Sequence, residues 1–528
     1  MTGAAARHSP LRTLLGAAPI ALPQLLALLV VIVASAPEGG YPLAHWAPAG
    51  VVVALLLAVA LLTLPPTAAR PPLSAVSIAG IAGVTLWSAL SIGWSADHGA
   101  AAIGTTRTAF LATTFILFAH WRHQPRTALT VLAAAAAGLG AMTWVTALSL
   151  LATGDIDPWF FYDRLLEPVG YVNAGAAFWG VVGFVGVGLL GGRIHPALRI
   201  GGALIAVPAA ALSFLCLSRG GLLADAAVIV LLLAALPGRA RNATALAVVA
   251  LPLATAAPLL ADVGNAARLD PNAIVVVHQA IARTIGAAVL AAALTAGWAM
   301  LDARIDGDAP LRRHTARIGG ALVGLALAVA AIAFAVNAGP VTRDRAAGAL
   351  RTIKSTSYNA VAPGENRLTS DLSSGRWQFW VVGWQQFEAH RWRGAGADNF
   401  RQDFLLRGKG SESPAYPHSI VVRTLGQLGL IGGVLMLLWI VPILMALRRL
   451  AADADPARRT IAIAVGGAFG LWLLHGSVDW LLEYAGLTAI VAALAGLAVA
   501  AAPAGERPAP RVATSWRRRV AGWVAALL

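Results

Sequence analysis

The chain is built from about fourteen apolar runs, each close to the ~20 residues that a helix needs to cross a bilayer core. In lipid every backbone N–H and C=O must be satisfied inside the protein, so such a chain folds as a bundle of helices. Hydrophobic residues make up 58% of it and charged residues 12%. The charged share is about half that of a soluble protein, so most of the chain belongs in lipid. The expectation is an all-α integral membrane protein. Its spans fall at 13–35, 48–64, 74–93, 101–120, 127–152, 171–191, 198–217, 220–237, 242–261, 277–301, 318–338, 418–447, 460–478 and 484–503. Ala, Leu, Val and Gly dominate these runs, so helix contacts should rest on small-residue packing.

The net charge is +15. In a soluble protein that points to nucleic acid. Here the distribution of arginine explains it, and no nucleic-acid partner is expected. With the N-terminus in the cytoplasm, the inner loops hold Arg70, Arg122, Arg126, Arg193, Arg199, Arg239, Arg241 and Arg304, and the pairs Arg312-Arg313 and Arg448-Arg449. The short outer loops hold only Arg164, Arg219 and Arg268. That asymmetry puts both termini inside. The first run follows Arg7 and Arg12 as in a signal peptide, but its length and the spans after it predict a retained helix. Cys216 stands alone, which excludes an intramolecular disulfide and a cysteine-built zinc site.

Four parts result: a transmembrane bundle over 1–338, one large extracytoplasmic loop over 339–417, a last group of spans over 418–503, and a cytoplasmic tail over 504–528. In the tail, Trp516, Val520, Trp523, Val524 and Leu527 share one helical face, as in an interfacial helix. In the loop, Trp377, Trp380, Trp384 and Phe387 recur at helical spacing. This predicts an amphipathic surface helix capped by Asp371 or Ser374, with its aromatics at headgroup depth. The tryptophans read more simply as membrane anchors than as sugar platforms. Gly394-Ala-Gly396 predicts a turn after that helix.

Ionisable residues inside spans are costly and mark function by default. Arg107, Arg283 and Arg423 are such residues. Arg423 lies about one turn below His418, which ends the large loop. Arg107 reads better as internally paired. Arg283 and His278 lie near the outer end of their helix. His475, Asp479 and Glu483 flank the last outer loop and suit either acceptor binding or helix capping. No metal site is expected: the first outer loop offers only Glu38, and the other outer acids lack ligand spacing. No cofactor is expected either.

Several short motifs fall in a meaningful order. Ser218-Arg219-Gly220-Gly221 opens a span, and Gly375-Arg376-Trp377 begins the surface helix. Gly394-Ala-Gly-Ala-Asp-Asn-Phe400 follows, then His418-Ser419 and Leu425-Gly-Gln-Leu-Gly-Leu-Ile-Gly432. Trp87, Trp94-Ser95, Asn173-Ala174 and His475-Gly-Ser-Val-Asp479-Trp480 fit the same layout. The chain thereby resembles the bacterial O-antigen ligase/polymerase family. Ser419 and Gln427 depart from the Asn and Glu common there.

The resemblance implies a glycosyltransferase of the lipid-dependent GT-C type in the bacterial inner membrane. Its partners would be an undecaprenyl-pyrophosphate-linked glycan donor, a glycan or lipid-linked sugar acceptor, and membrane lipid. It maps the family's key residues onto Arg219, Arg376 and His418. Arginine forks bind phosphate oxygens in pairs, and a histidine suits deprotonation of an acceptor hydroxyl. On this reading His418 is the base, and Arg219, Arg376 and Arg423 hold pyrophosphate. Arg283, His278, His475 and Asp479 are further substrate contacts. The plainer readings are a snorkelling Arg219, a solvated Arg376 and a surface His418. The rival function is a transporter or flippase of lipid-linked or charged glycans; the absence of a visible repeat and the single large outer loop ending in His418 speak against it.

Overall fold

The computed structural model describes residues 10–64, 71–269, 273–305, 375–409 and 413–503. Its long helices are α1 (Pro10–Ser35), α2 (Leu43–Thr63), α3 (Pro72–Ser91), α4 (His98–Ala119), α5 (Pro125–Ala152), α6 (Val172–Gly191) and α7 (Pro196–Leu215). They continue with α8 (Arg219–Ala235), α9 (Arg239–Ala254), α10 (Ala257–Leu269) and α11 (Ala273–Ile305). After these come α12 (Arg376–Ala389), α13 (Phe400–Arg407), α14 (Ile420–Ala452), α15 (Pro456–Gly476) and α16 (Ala485–Ala501). A two-stranded hairpin, Phe160–Phe161 with Arg164–Leu165, is the one sheet among the described residues.

The protein is an all-α membrane protein. Among the described residues nine helices are long and apolar enough to cross a membrane, or ten if the bent α9–α10 pair is one span. Every expected span within the described residues coincides with a helix or with that pair. The span expected at 318–338, most of the loop before Gly375 with its caps Asp371 and Ser374, and the 504–528 tail lie outside the described residues. The 242–261 span, expected to be straight, bends by 64° between α9 and α10. Helix α9 ends at Ala254, and Pro258 is the second residue of α10; Pro258 lacks an N–H and its ring crowds the carbonyl four residues earlier, so one straight helix cannot run through this point.

Small residues set the packing, as expected. A methyl added at Gly188 of α6 would lie 2.5 Å from Ala464 of α15, and one at Gly186 would lie 2.7 Å from the Gly202 carbonyl of α7. Helices α6 and α16 are buried on nearly every side, the behaviour of a helix that is apolar all round. On the periphery, Leu29 and Val33 of α1 and Val51, Leu55, Val59 and Leu62 of α2 are exposed, an apolar surface suited to lipid. At one end of the bundle Asp302 of α11 pairs with Arg199 at 2.8 Å and Arg241 at 2.7 Å. Both guanidinium groups also lie over Trp298.

The opposite end holds a feature that the apolar pattern hides. The 418–447 run reads as one uninterrupted span, but α14 is broken at Gly429, whose φ of 67° and ψ of −166° are not helical. The backbone groups freed by the break are taken by other segments. Gly426 and Gln427 carbonyls accept from Ala395 N at 3.0 Å and Gly396 N at 2.9 Å. The Leu428 carbonyl accepts from the Trp87 indole at 2.9 Å. Leu430 and Ile431 N–H groups donate to the Arg391 and Trp392 carbonyls at 2.8 and 3.3 Å. Residues 391–396 therefore lie in the break like a strand. Unpaired backbone at membrane depth is tolerated only when protein covers it, and here it does.

Gly394 meets that break with φ +72°, and a Cβ there would lie 2.2 Å from the Gln427 carbonyl. Gly394→Ala should therefore cost at least about 2–3 kcal/mol through backbone strain and collision. The check is thermal unfolding in detergent beside Gly93→Ala, a position with open space around it, which should barely move the midpoint.

Candidate active site

Four chain regions converge at the end of the bundle where α4, α6, α8, α14 and α16 begin. The 394–400 turn is the first. It is held by the break in α14 and by Trp94, whose indole donates to the Gly394 carbonyl at 3.1 Å. This directs Asp398 inward, with a positive φ of 52°. Asp398 bridges two helices: Oδ2 takes Arg107 of α4 at 2.5 Å and Oδ1 takes Arg423 of α14 at 2.7 Å. Its own N–H donates to Gln427 Oε1 at 3.0 Å. Arg423 also lies 2.5 Å from Glu483 in the α15–α16 connection, and Arg107 reaches the Tyr416 hydroxyl at 3.4 Å. These four charges alternate in sign along one buried chain, which lets each offset the desolvation of its neighbour.

The second region is α12. Phe379, Val382 and Gly383 pack it against α13 and the start of α14, while Trp384 faces out. The helix expected from the aromatic spacing is thus present, beginning at Arg376. Arg376 is turned inward. It donates to the Val478 carbonyl at 2.8 Å and to Asp479 Oδ2 at 2.7 Å. Asp479 is wholly buried and accepts from Asn173 Nδ2 at 2.8 Å, the Tyr171 hydroxyl at 3.1 Å and Trp480 N at 2.9 Å. Burial alone would raise its pKa, but Arg376 and the two nearby histidines hold it below the usual carboxylate range.

The third region is the start of α8. Ser218 caps the helix by accepting from Gly221 N at 3.1 Å, which sets Arg219 on its first turn, half-buried. Gly220 has no side chain to fill the space beside it, and a Cβ there would lie 3.3 Å from His475 Nε2. His475 is fully buried, with neither ring nitrogen hydrogen-bonded among the described residues and Nε2 at 3.9 Å from Asp479.

The fourth is His418, immediately before α14. Its φ is +51°, a strained value for a residue with a side chain. Such strain persists where the surroundings over-determine it, and it clusters at functional sites. Nδ1 lies 3.0 Å from the Tyr416 carbonyl. A carbonyl can only accept, so Nδ1 carries the proton and Nε2 keeps its lone pair. The ring stands 5.1 Å from Phe379 and 5.6 Å from Trp480. Burial among these rings pushes the imidazole pKa down to about 4, against a smaller upward pull from Asp479. Trp480 is itself the centre of an aromatic cluster with Tyr41, Tyr171, Tyr416 and Tyr484.

The structure thus gathers Arg219, Arg376, His418, Arg423, His475 and Asp479. Two of the expected contacts lie elsewhere. His278 of α11 sits against the Thr153 carbonyl at 3.1 Å, and Arg283 is exposed on the flank of the same helix. Arg107 is internally paired, as its position suggested. Asp398, Tyr416 and Asn173 are site residues that sequence reasoning quoted or passed over without giving them a role. The signal for Asp398 was an acid in a Gly-rich turn, in a chain whose spans carry unpaired arginines. Among the described residues no group of His, Cys, Asp and Glu has the arrangement to hold a metal.

Residues 273–437 match the O-antigen ligase family model. That stretch contains Arg376, Asp398, His418 and Arg423. No curated protein matches the chain.

Removing the bridging carboxylate leaves two buried guanidinium groups short of a partner. Asp398→Ala should cost about 3–5 kcal/mol. Adding Arg107→Leu should restore part of the loss, read as a coupling energy in a double-mutant cycle on unfolding. Independent, additive losses would show that the bridge does not hold α4 to α14.

Proposed function

With the O-antigen ligase domain at 273–437 assigning this membrane protein to the O-antigen ligase/polymerase family of glycan-transferring enzymes, we propose that it moves a glycan from an undecaprenyl-pyrophosphate carrier to an acceptor hydroxyl on the extracytoplasmic face. The carrying observation is the convergence of a neutral, tautomer-fixed His418 with Arg376, Asp479 and the Ser218-Arg219 helix start.

In this reading the acceptor O–H gives its proton to His418 Nε2 as its oxygen attacks the anomeric carbon. The new C1–O bond forms while the bond to the carrier pyrophosphate breaks, and the leaving oxygen takes the electron pair. One displacement inverts the anomeric centre. Arg376 is held by the Val478 carbonyl and Asp479, and its remaining donors are available to phosphate oxygens. Asp479 offsets much of its charge, so Arg376 acts by aimed hydrogen bonds more than by bulk potential. Arg219 stands on the first turn of α8, where the helix N-terminus adds positive potential. Arg423 is engaged by Asp398 and Glu483, which favours a supporting role beneath the site over a direct grip. His475 stands between Asp479 and the α8 start, with both ring nitrogens unbonded among the described residues.

The positive-inside distribution of arginine supports both termini in the cytoplasm and this site on the opposite face. The transport reading draws on intramembrane arginine, but Arg107 and Arg423 are tied to carboxylates across helices, as static braces are. The acceptor, whether lipid A-core sugar, a second carrier-linked glycan or a protein hydroxyl, is a matter of cleft shape.

Asn tolerates a left-handed backbone, so His418→Asn should preserve the fold while removing the base. Transfer from a defined undecaprenyl-pyrophosphate glycan by that variant should fall by about 10²–10⁴-fold, with donor binding retained. Wild-type turnover would take His418 out of the mechanism. The low pKa of His418 fixes the sign of its pH effects. The working, neutral form persists down to about 4, so the acid limb of kcat/KM should lie near there and not at the ordinary 6.5. The same shift makes the neutral ring a stabilising feature that fades as pH falls from 6.5 to about 4, because the unfolded chain takes its proton first. Transfer should also survive EDTA; loss restored by Mg²⁺ or Mn²⁺ would contradict a metal-independent route.

A further inference from the structure

A cavity of about 310 Å³ opens beside Tyr416, between the start of α4 and α13. Its polar lining is Asp97, Asp398, Arg401, Gln402 and Tyr416. Asp97 spends Oδ1 on capping Ala100 N at 2.9 Å and still has a second carboxylate oxygen. Arg401 and Gln402 are exposed, and neither side chain has a hydrogen bond or ion pair among the described residues. Donors and acceptors therefore stand side by side, the mixture that the vicinal hydroxyls of a sugar require. The volume lies at the small end of ligand sites, about 300–1,000 Å³. Ile103 and Leu405, also in the lining, are exposed.

We propose that this cleft is a glycan subsite that binds one sugar unit of a membrane-anchored glycan. The inference rests on the transferase reading for its purpose. Its link to the chemistry is Tyr416, which lines the cleft with its side chain and fixes the His418 tautomer with its carbonyl. A sugar seated against Tyr416 would bear on the residue whose carbonyl orients the base, and its floor, Asp398, is held still by two arginines. The hydroxyl-rich unit comes from either the donor glycan or the acceptor glycan.

Gln402→Trp fills the cleft from an exposed position and leaves the paired charges untouched; an unchanged unfolding midpoint would verify the fold. Two readouts separate the cleft from the transferase reading. The first is saturation-transfer NMR with free glucose, N-acetylglucosamine and rhamnose on the full chain in nanodiscs. Wild type should transfer saturation to at least one sugar, and Gln402→Trp should weaken that signal several-fold. The second is the steady-state transfer reaction, in which the KM for one glycan partner should rise by about tenfold or more while the KM for the other holds. The partner whose KM moves is the one that the cleft seats. Sugar signals that are absent in wild type or equal in the variant would overturn the subsite, and so would transfer with both KM values unchanged. A wild type that binds sugar but transfers no glycan would sink the transferase reading and leave the cleft standing.

Discussion

A helix that stops hydrogen-bonding to itself inside a membrane protein must find its partners elsewhere, and α14 finds them in the 391–396 segment. The break at Gly429 frees carbonyls and N–H groups that the adjoining strand-like segment and the Trp87 indole take up. This fixes where the Gly-rich turn lies, and the turn fixes Asp398. Asp398 in turn joins α4 to α14, and Arg423 carries the connection on to Glu483. The positions of Tyr416 and His418 follow, because both lie on the short approach to the same helix. A rigid frame of this kind suits a site in which donors must be aimed before any charge develops.

The electrostatics follow the same logic of enclosure. Arg107, Arg376 and Arg423 face Asp398, Asp479 and Glu483. These three arginines and three carboxylates offset one another, and Arg219 adds one positive charge beside them, in a chain with a net charge of +15. A buried pair contributes little net stability, but breaking one is expensive. The arrangement therefore resists change in either partner and holds each guanidinium plane in one orientation.

The helices were legible because a span of apolar residues has few alternatives in lipid. The aromatic spacing from Trp377 to Phe387 gave α12, and the short motifs gave most of the residues that meet at the site. The break in α14 was not legible: Leu425 to Gly432 lies within one long, mostly apolar run, and only contact with a segment some thirty residues earlier makes the non-helical Gly429 favourable. The bend between α9 and α10 was hidden by the same continuity. Ion-pair partners were also out of reach. Arg376 and Asp479 are 103 positions apart, and Arg107 and Asp398 are 291 apart, so their pairing is a property of the fold alone. Arg283 and His278 show the converse: intramembrane position suggested a role, and the bundle sets them on α11 away from the cluster.

Helix α16 carries a consequence of its own. It is made after every other helix of the described bundle, yet it ends enclosed by α1, α4, α14 and α15. During synthesis the earlier helices must therefore leave a slot at the centre of the protein, filled last by a short segment of Ala, Leu, Val and Gly. Its arrival closes the two sides of the bundle on each other and brings the Trp480–Tyr484 turn to His418. The segment that completes the enclosure is thus the one that the described bundle receives last.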